Sequence, residues 1–307
     1  MSATITSRGK NQVVRIADRA REYFAELQKT ICSELERVDG SGRFSSEQWS
    51  REEGGGGLTR VMEEGTVFEK AGVNTSTVFG AMSEQMARRM AMDPARFYAT
   101  GISLVIHPRS PMIPTVHMNC RYIEQGEHDA WFGGGSDLTP YYLYDEDVIS
   151  FHRALKSACD PIDRSYYPRL KKWCDEYFVV RHRKEGRGVG GVFFDYMRDD
   201  PEKHFALVRA VGDAFLESYV PIVRRRMNEP WGEPERNWQL VRRGRYVEFN
   251  LIYDRGTTFG LETQGRIESI LMSLPPHVAW RYNVEPPPGS REAALVDVLK
   301  NPRDWLG

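Results

Sequence analysis

Between Ile102 and Glu124 the chain reads ISLVIHPRSPMIPTVHMNCRYIE, which places polar side chains of three kinds at two-residue steps. In an extended strand alternate residues share a face. Thr115, His117, Asn119 and Arg121 then point one way, and Val116, Met118, Cys120 and Tyr122 the other. On the preceding run Ser103, Val105 and His107 share a face opposite Ile102, Leu104 and Ile106. Polar alternation usually marks a solvated sheet face. Here an imidazole, an amide and a guanidinium lie within ~13 Å of strand, which makes a platform for an extended ligand. Arg121 suits a carboxylate there, because its planar fork donates two parallel hydrogen bonds.

A second chemical segment is WFGGGSDLTPYY, residues 131–142. Its three glycines permit a close backbone approach or a positive φ, and a carboxylate, Asp137, follows on what reads as a short projecting loop. Gly54–Gly57 is another glycine cluster, but neither cluster has the spacing of a phosphate cradle. The third segment, RRGRYVEFNLIYDRGTTFGLETQGRIESILMSLPP (242–276), holds Arg242, Arg243, Arg245, Arg255 and Arg266. Five guanidinium groups so close in sequence suit a polycarboxylate or a phosphate. The seven histidines show no HxH, HxxxH or HExxH spacing, so a metal site finds no support in the pattern.

These groups need elements to hold them. Val14, Ala17, Ala20, Phe24, Leu27, Ile31, Leu35 and Val38 recur at helical spacing, so 11–38 reads as an amphipathic helix. Strand-like runs follow at 58–62, 66–70, 97–107, 115–124 and 129–133, and helical patterns at 146–159, 168–183 and 202–227. Further strands are expected at 190–196, 238–253 and 267–274, and Ser290 caps a last short helix. The run 267–274 is apolar on both faces, as a central strand or subunit interface would be. Strands in adjacent runs, without βαβ alternation, point to an α+β fold: one large, mostly antiparallel sheet covered by helices. With no repeat and no long linker, a single domain over 1–307 is expected, residues 1–45 forming an N-terminal helical segment.

Composition allows this picture. The 307 residues carry 42 Lys plus Arg against 43 Asp plus Glu, a formal charge of -1. That balance lacks the basic excess of a general nucleic-acid binder. Mean hydropathy is -0.53, and no apolar run approaches the ~20 residues of a membrane span. Asp18, Glu22 and Glu26 in the first helix argue against a mitochondrial leader, so a cytoplasmic location is expected. Cys32, Cys120, Cys159 and Cys174 form no CxxC pair and read as reduced structural thiols.

As strings, GISLVIHPRSPMIPTVHMNCRY, WFGGGSDLTPYY, YYPRLKKWCDEYFVVRHRKEGRGVGGVFFD, the 242–276 segment and NPRDWL resemble the oxygen-dependent coproporphyrinogen III oxidases. REEGGGGLTRVMEEGTVFEKAGVNTS (51–76) is similar to that family's first block, so the resemblance runs from about Arg51 to Leu306. It implies oxidative decarboxylation of two propionates of coproporphyrinogen III to vinyls, giving protoporphyrinogen IX. O2 is the oxidant, and CO2 and hydrogen peroxide leave. It also implies a flat antiparallel sheet and a homodimer, for which the 246–281 region is the expected interface. No organic cofactor is implied, and no metal is expected.

By match to the family motifs, His117 is the expected acid/base residue, and Ser103, Asn119 and Arg121 contact substrate. Gln264, Gly265 and Arg266 form a substrate-binding turn, and Arg187 is a further rim residue. Asp137 suits the centre of a tetrapyrrole, where it would accept the pyrrole N–H groups. Two rival readings are a tetrapyrrole carrier that needs only the arginine rim, and a metal hydrolase using His107, His117, His152 and His182.

Overall fold

The computed structural model describes residues 14–81, 96–262 and 266–307. The first element is helix α1, Ile16–Asp39, and its apolar stripe of Ala17, Ala20, Phe24, Leu27, Ile31 and Leu35 is buried as the spacing requires. Gly40 ends it by taking φ 84°, a left-handed conformation that costs glycine little, and its N–H bonds to the Glu36 carbonyl.

Seven strands then build one antiparallel sheet: β1 Ser45–Ser50, β2 Gly55–Glu63, β3 Phe68–Ala81, β4 Arg96–Pro108, β5 Thr115–Gln125, β6 Asp129–Thr139 and, last in space, β9 Gly191–Met197. Each strand pairs with the one before it in that order. A two-stranded ribbon, β7 Val179–Val180 with β8 Glu185–Gly186, stands apart. Helices α2 Asp145–Cys159, α3 Tyr166–Tyr177, α4 Pro201–Arg226, α5 Glu233–Ile252, α6 Arg255–Glu262, α7 Ile267–Leu271 and α8 Arg291–Lys300 complete the chain. The fold is thus α+β, a single domain in which helices cover a mostly antiparallel sheet.

The sheet's two faces differ. On one, Val73, Leu104, Ile106, Val116, Met118, Cys120 and Leu138 are buried in the main core with α1 and α4. On the other, part of α5 and the residues after α7 are layered, with Met272 seated over Gly72. The four cysteines are buried and unpaired, and burial pushes the Cys120 thiol up to about 12.

Four expectations need correction. The 238–253 segment is not a strand but most of α5, which starts at Gly232, whose N–H bonds to Glu235 at 2.9 Å. Arg242, Arg243 and Arg245 are buried in it, so a pattern that treats arginine as exposed misreads its period. Nor are these three arginines a ligand receptor: they pair with Glu185 at 2.9 Å, Glu69 at 2.6 Å and Glu248 at 2.9 Å. The 267–274 segment is the short helix α7 followed by turns, and Ile267 is exposed rather than enclosed. Lastly, the helix expected over 168–183 stops at Tyr177, where the β7–β8 ribbon begins, and β1 and most of β3 were not anticipated.

Candidate active site

Cross-strand register aligns the polar positions into rows. One row runs Glu47, Thr59, Asn74, Ser103, Asn119 and Gly135 from β1 to β6. The next runs Trp49, Gly57, Ser76, Gly101, Arg121 and Gly133. Small residues in the middle of both rows leave a low floor, bounded by Trp49 toward β1 and by Arg121 and His117 toward β6. Trp49 lies against Gly57, where a Cβ would sit 2.5 Å from the indole, and donates to Thr59 at 3.1 Å. Sequence reasoning missed Trp49, Thr59, Asn74 and Ser76. The alternation in SSEQWS and in NTST was the signal that could have shown them.

Asp137 is not on a loop. Gly133–Gly135 and Asp137 all belong to β6, and Asp137 stands directly across from His117. The glycines are there because neighbours fill their space: a Cβ at Gly133 would meet Asp195 Oδ1 at 2.7 Å and Arg121 Nε at 2.8 Å. Asp137 is 1% exposed. Its Oδ1 accepts from His117 Nδ1 at 2.8 Å and from Arg187 Nη2 at 2.7 Å, while Oδ2 is buried with no partner among the described residues.

Arg187 is the largest departure from expectation. It is not at a rim: its side chain is 2% exposed and forms a buried pair with Asp137. The backbone delivers it there by bonding Arg187 N to the Phe178 carbonyl at 2.7 Å and Val189 N to the Leu138 carbonyl at 2.9 Å. The guanidinium lies 4.0 Å from the Phe178 ring centroid, 4.8 Å from Phe249 and 4.9 Å from Tyr246, and Nη1 donates to Asn250 at 2.9 Å. Such an aromatic enclosure stabilises a desolvated cation.

Burial alone would push the Asp137 carboxyl up, but the charge of Arg187 and the His117 contact more than offset it and hold it below its usual range. Burial would also lower Arg187, yet the adjacent carboxylate holds it above its ordinary value. The pair is therefore ionised across the physiological range.

Donors and acceptors then fall into one ordered line. Arg121 Nη1 donates to Asn119 Oδ1 at 2.9 Å, and Asn119 Nδ2 donates to His117 Nε2 at 3.3 Å. With Asp137 accepting from Nδ1, the ring is oriented with Nδ1 toward the carboxylate and Nε2 toward Asn119. His117 is 12% exposed on its side chain, as a proton acceptor at a site wall should be.

The remaining expected residues divide. Ser103 is half-buried on the floor in the Asn119 row. Arg266 pairs with Glu47 on β1, four strand-to-strand steps from Arg121, or roughly 19 Å. Gln264 and Gly265 lie outside the described residues. The histidines of the hydrolase reading are apart and separately engaged: His107 with Thr115 and Ser273, His152 with Tyr167 and Val189, His182 with Tyr253 and Glu248. No group of three His, Cys, Asp or Glu side chains converges among the described residues.

This arrangement can receive a broad, carboxylate-bearing ligand and hold the His117 imidazole against it, backed by a buried carboxylate. Residues 19–305 match the family model described as coproporphyrinogen III oxidase.

Proposed function

The chain belongs to the coproporphyrinogen III oxidase family, and on that premise we propose that it is the oxygen-dependent enzyme. In this reading it converts two propionates of coproporphyrinogen III to vinyls and releases protoporphyrinogen IX. The observation that carries the proposal is the ordered line Arg121–Asn119–His117–Asp137–Arg187 at one wall of a small-residue floor. A molecule that only carried tetrapyrroles would need the arginine but not a buried ion pair behind the histidine.

Each half-reaction balances without a further reductant. A propionate, O2 and one proton give a vinyl group, CO2 and H2O2; the side chain loses two electrons and O2 gains them. The substrate is its own electron source, so no metal or organic cofactor is called for. We assign the protein two tasks. Arg121 grips a propionate in its fork. His117, oriented by Asp137 through Nδ1, handles protons through Nε2, while the Asp137 charge behind it favours electron loss from the bound pyrrole. As the pyrrole N–H proton is lost, O2 adds to the pyrrole carbon. The peroxide takes a β-proton of the neighbouring propionate and leaves as hydrogen peroxide when its carbon–oxygen bond breaks. CO2 then departs, its bonding pair forming the vinyl double bond as the pyrrole nitrogen regains its proton. Anaerobically prepared coproporphyrinogen III should be consumed on admission of air with one O2 taken up and one CO2 released per vinyl formed. No O2 uptake with this substrate would end the proposal.

The grip predicts its own kinetics. Arg121→Ala should cost ~2–5 kcal/mol in kcat/KM, the range for truncating one partner of a charge pair. Arg121→Lys should recover only part, because an ammonium cannot form the fork. Unchanged steady-state constants in Arg121→Ala would remove the residue from the site.

We also propose a homodimer through the 246–281 region. The two-sided strand that first suggested it does not exist, but other features support the same surface. Leu251, Ile252, Leu261, Ile267 and Trp280 are all large, apolar and exposed within this stretch, side chains that an interface would cover. Light scattering at micromolar concentration should give twice the 35.3 kDa chain mass; a monomer at that concentration would contradict it.

A further inference from the structure

Opposite Gly133 the strand pairing slips. Phe132 pairs with Met197 and Gly134 with Phe194, so Asp195 and Tyr196 together face one residue of β6. This is a β-bulge, a device that re-aims side chains. Tyr196 takes φ 51° to make it, a conformation uncommon for a non-glycine residue. Its side chain turns outward, 48% exposed, while Met197 takes the inward position. Asp195 is thereby kept on the floor side of the sheet beside Arg121.

The contacts there are specific. Asp195 Oδ2 lies 2.8 Å from Arg121 Nη2 and 3.7 Å from Arg255 Nη2, and Oδ1 accepts from Tyr196 N at 3.0 Å. Arg255 is itself placed by Tyr177, whose ring it overlies at 5.0 Å and whose hydroxyl accepts from its N–H at 3.2 Å. Because Gly133 has no side chain, Arg121 and Asp195 meet over bare backbone. Arg121 thus spends one edge of its fork on Asn119 and the other on an internal carboxylate. Two guanidinium groups share one carboxylate, leaving a local charge of +1, which matches a single propionate.

We propose that Asp195 is a specificity-determining positioning residue, an internal counter-ion that a substrate carboxylate must displace from Arg121. The inference rests on the functional reading given above. It explains a need of a reaction that destroys carboxylates: an arginine pair with no counter-ion would hold the tetra-acid tightly and discriminate poorly by carboxylate number. With Asp195 present, a ligand lacking a carboxylate at this position loses the site back to the internal ion pair.

Competition and bracing make opposite predictions for removal of the charge. The test uses the full chain and the non-turnover porphyrin coproporphyrin III, with Kd read from fluorescence and KM and kcat from turnover. In Asp195→Asn the Kd and KM should fall by about fivefold or more, since a competing charge beside the anion is gone, and the tightening should shrink with added NaCl. In Arg121→Ala the same change at 195 should have no further effect. Asp195→Ser, which removes the carboxylate without adding an amide donor, should tighten binding as well, and Asp195→Glu should not. A Kd that rises in Asp195→Asn and Asp195→Ser, as in Arg121→Ala, would show a simple brace and overturn the proposal; an unchanged Kd in both would overturn it too. Failure of the unaltered chain to bind coproporphyrin III would bring down the functional reading, and this inference with it.

Discussion

Asp137→Asn is expected to lower kcat by about 10²-fold or more, the scale on which a preorganised electrostatic group acts, with KM changed far less. The substitution keeps the size and one carbonyl acceptor for His117 Nδ1, so the imidazole can stay where it is. What disappears is the anion. Arg187 then stays as a cation among Phe178, Tyr246 and Phe249 with no charge to offset its desolvation. Removing one member of a buried pair typically costs about 3–5 kcal/mol of stability, so the melting temperature should fall too. Arg121 is untouched, hence the modest change in KM. Near-normal turnover in a folded Asp137→Asn protein would mean that the aspartate serves only to hold β6 to the segment that follows β8. The proposed activation of the pyrrole would then have to be abandoned.

The complementary substitution, Arg187→Met, should be as damaging but with a different signature in pH. Methionine fills an apolar aromatic enclosure well, so the effect isolates the charge. In the native protein Arg187 is the main influence opposing burial and holding the Asp137 carboxyl below its usual range. Such a group contributes stability above the unfolded-state carboxyl value, and that contribution fades as pH falls through the lower folded value. Without Arg187, burial governs and the folded value rises above the unfolded one. Stability is then best below the unfolded value and is lost as pH climbs through the raised one. The acid limb of kcat/KM should therefore move to higher pH, and the melting-temperature deficit of Arg187→Met should be smaller at pH 5 than at pH 7. An unshifted acid limb with a pH-independent deficit would show that Arg187 does not control this carboxylate.

How much of this was written in the chain follows from which residues carry the pattern. The β5 face was legible because Val116, Met118, Cys120 and Tyr122 are apolar and buried between the polar positions, so period two stands out. Helix α5 was not, because its inward side includes Arg242 and Arg243, whose partners Glu185 and Glu69 lie 57 and 174 residues earlier. No local rule anticipates a buried arginine whose carboxylate is that remote. For the same reason Arg187 looked like a rim residue: Asp137, which makes it an internal ion, is 50 positions back. The triple glycine reads as a turn by composition. It is strand, with Arg121 and Asp195 filling the space beside Gly133, Phe194 and the Asn119 carbonyl that beside Gly134, and the Val192 carbonyl that beside Gly135, a fact visible only across strands. The family resemblance implied a reaction and a set of candidate residues but not this arrangement of charge.

The two faces of β4, β5 and β6 divide their labour. Register is fixed by the apolar side, since a slip of one residue would exchange every side chain between faces and carry His117 into the packing under α4. The opposite side carries Arg121, Asn119, His117 and Asp137 among small residues, so it sets the site while the apolar side sets the register. The same logic tells where length can vary. The β5–β6 hairpin turns at Gly126, nine positions beyond His117 and therefore about 30 Å along the strand. Residues inserted or deleted as loop at that tip leave every pairing below it intact, so natural variants of the hairpin can differ there without any change in chemistry.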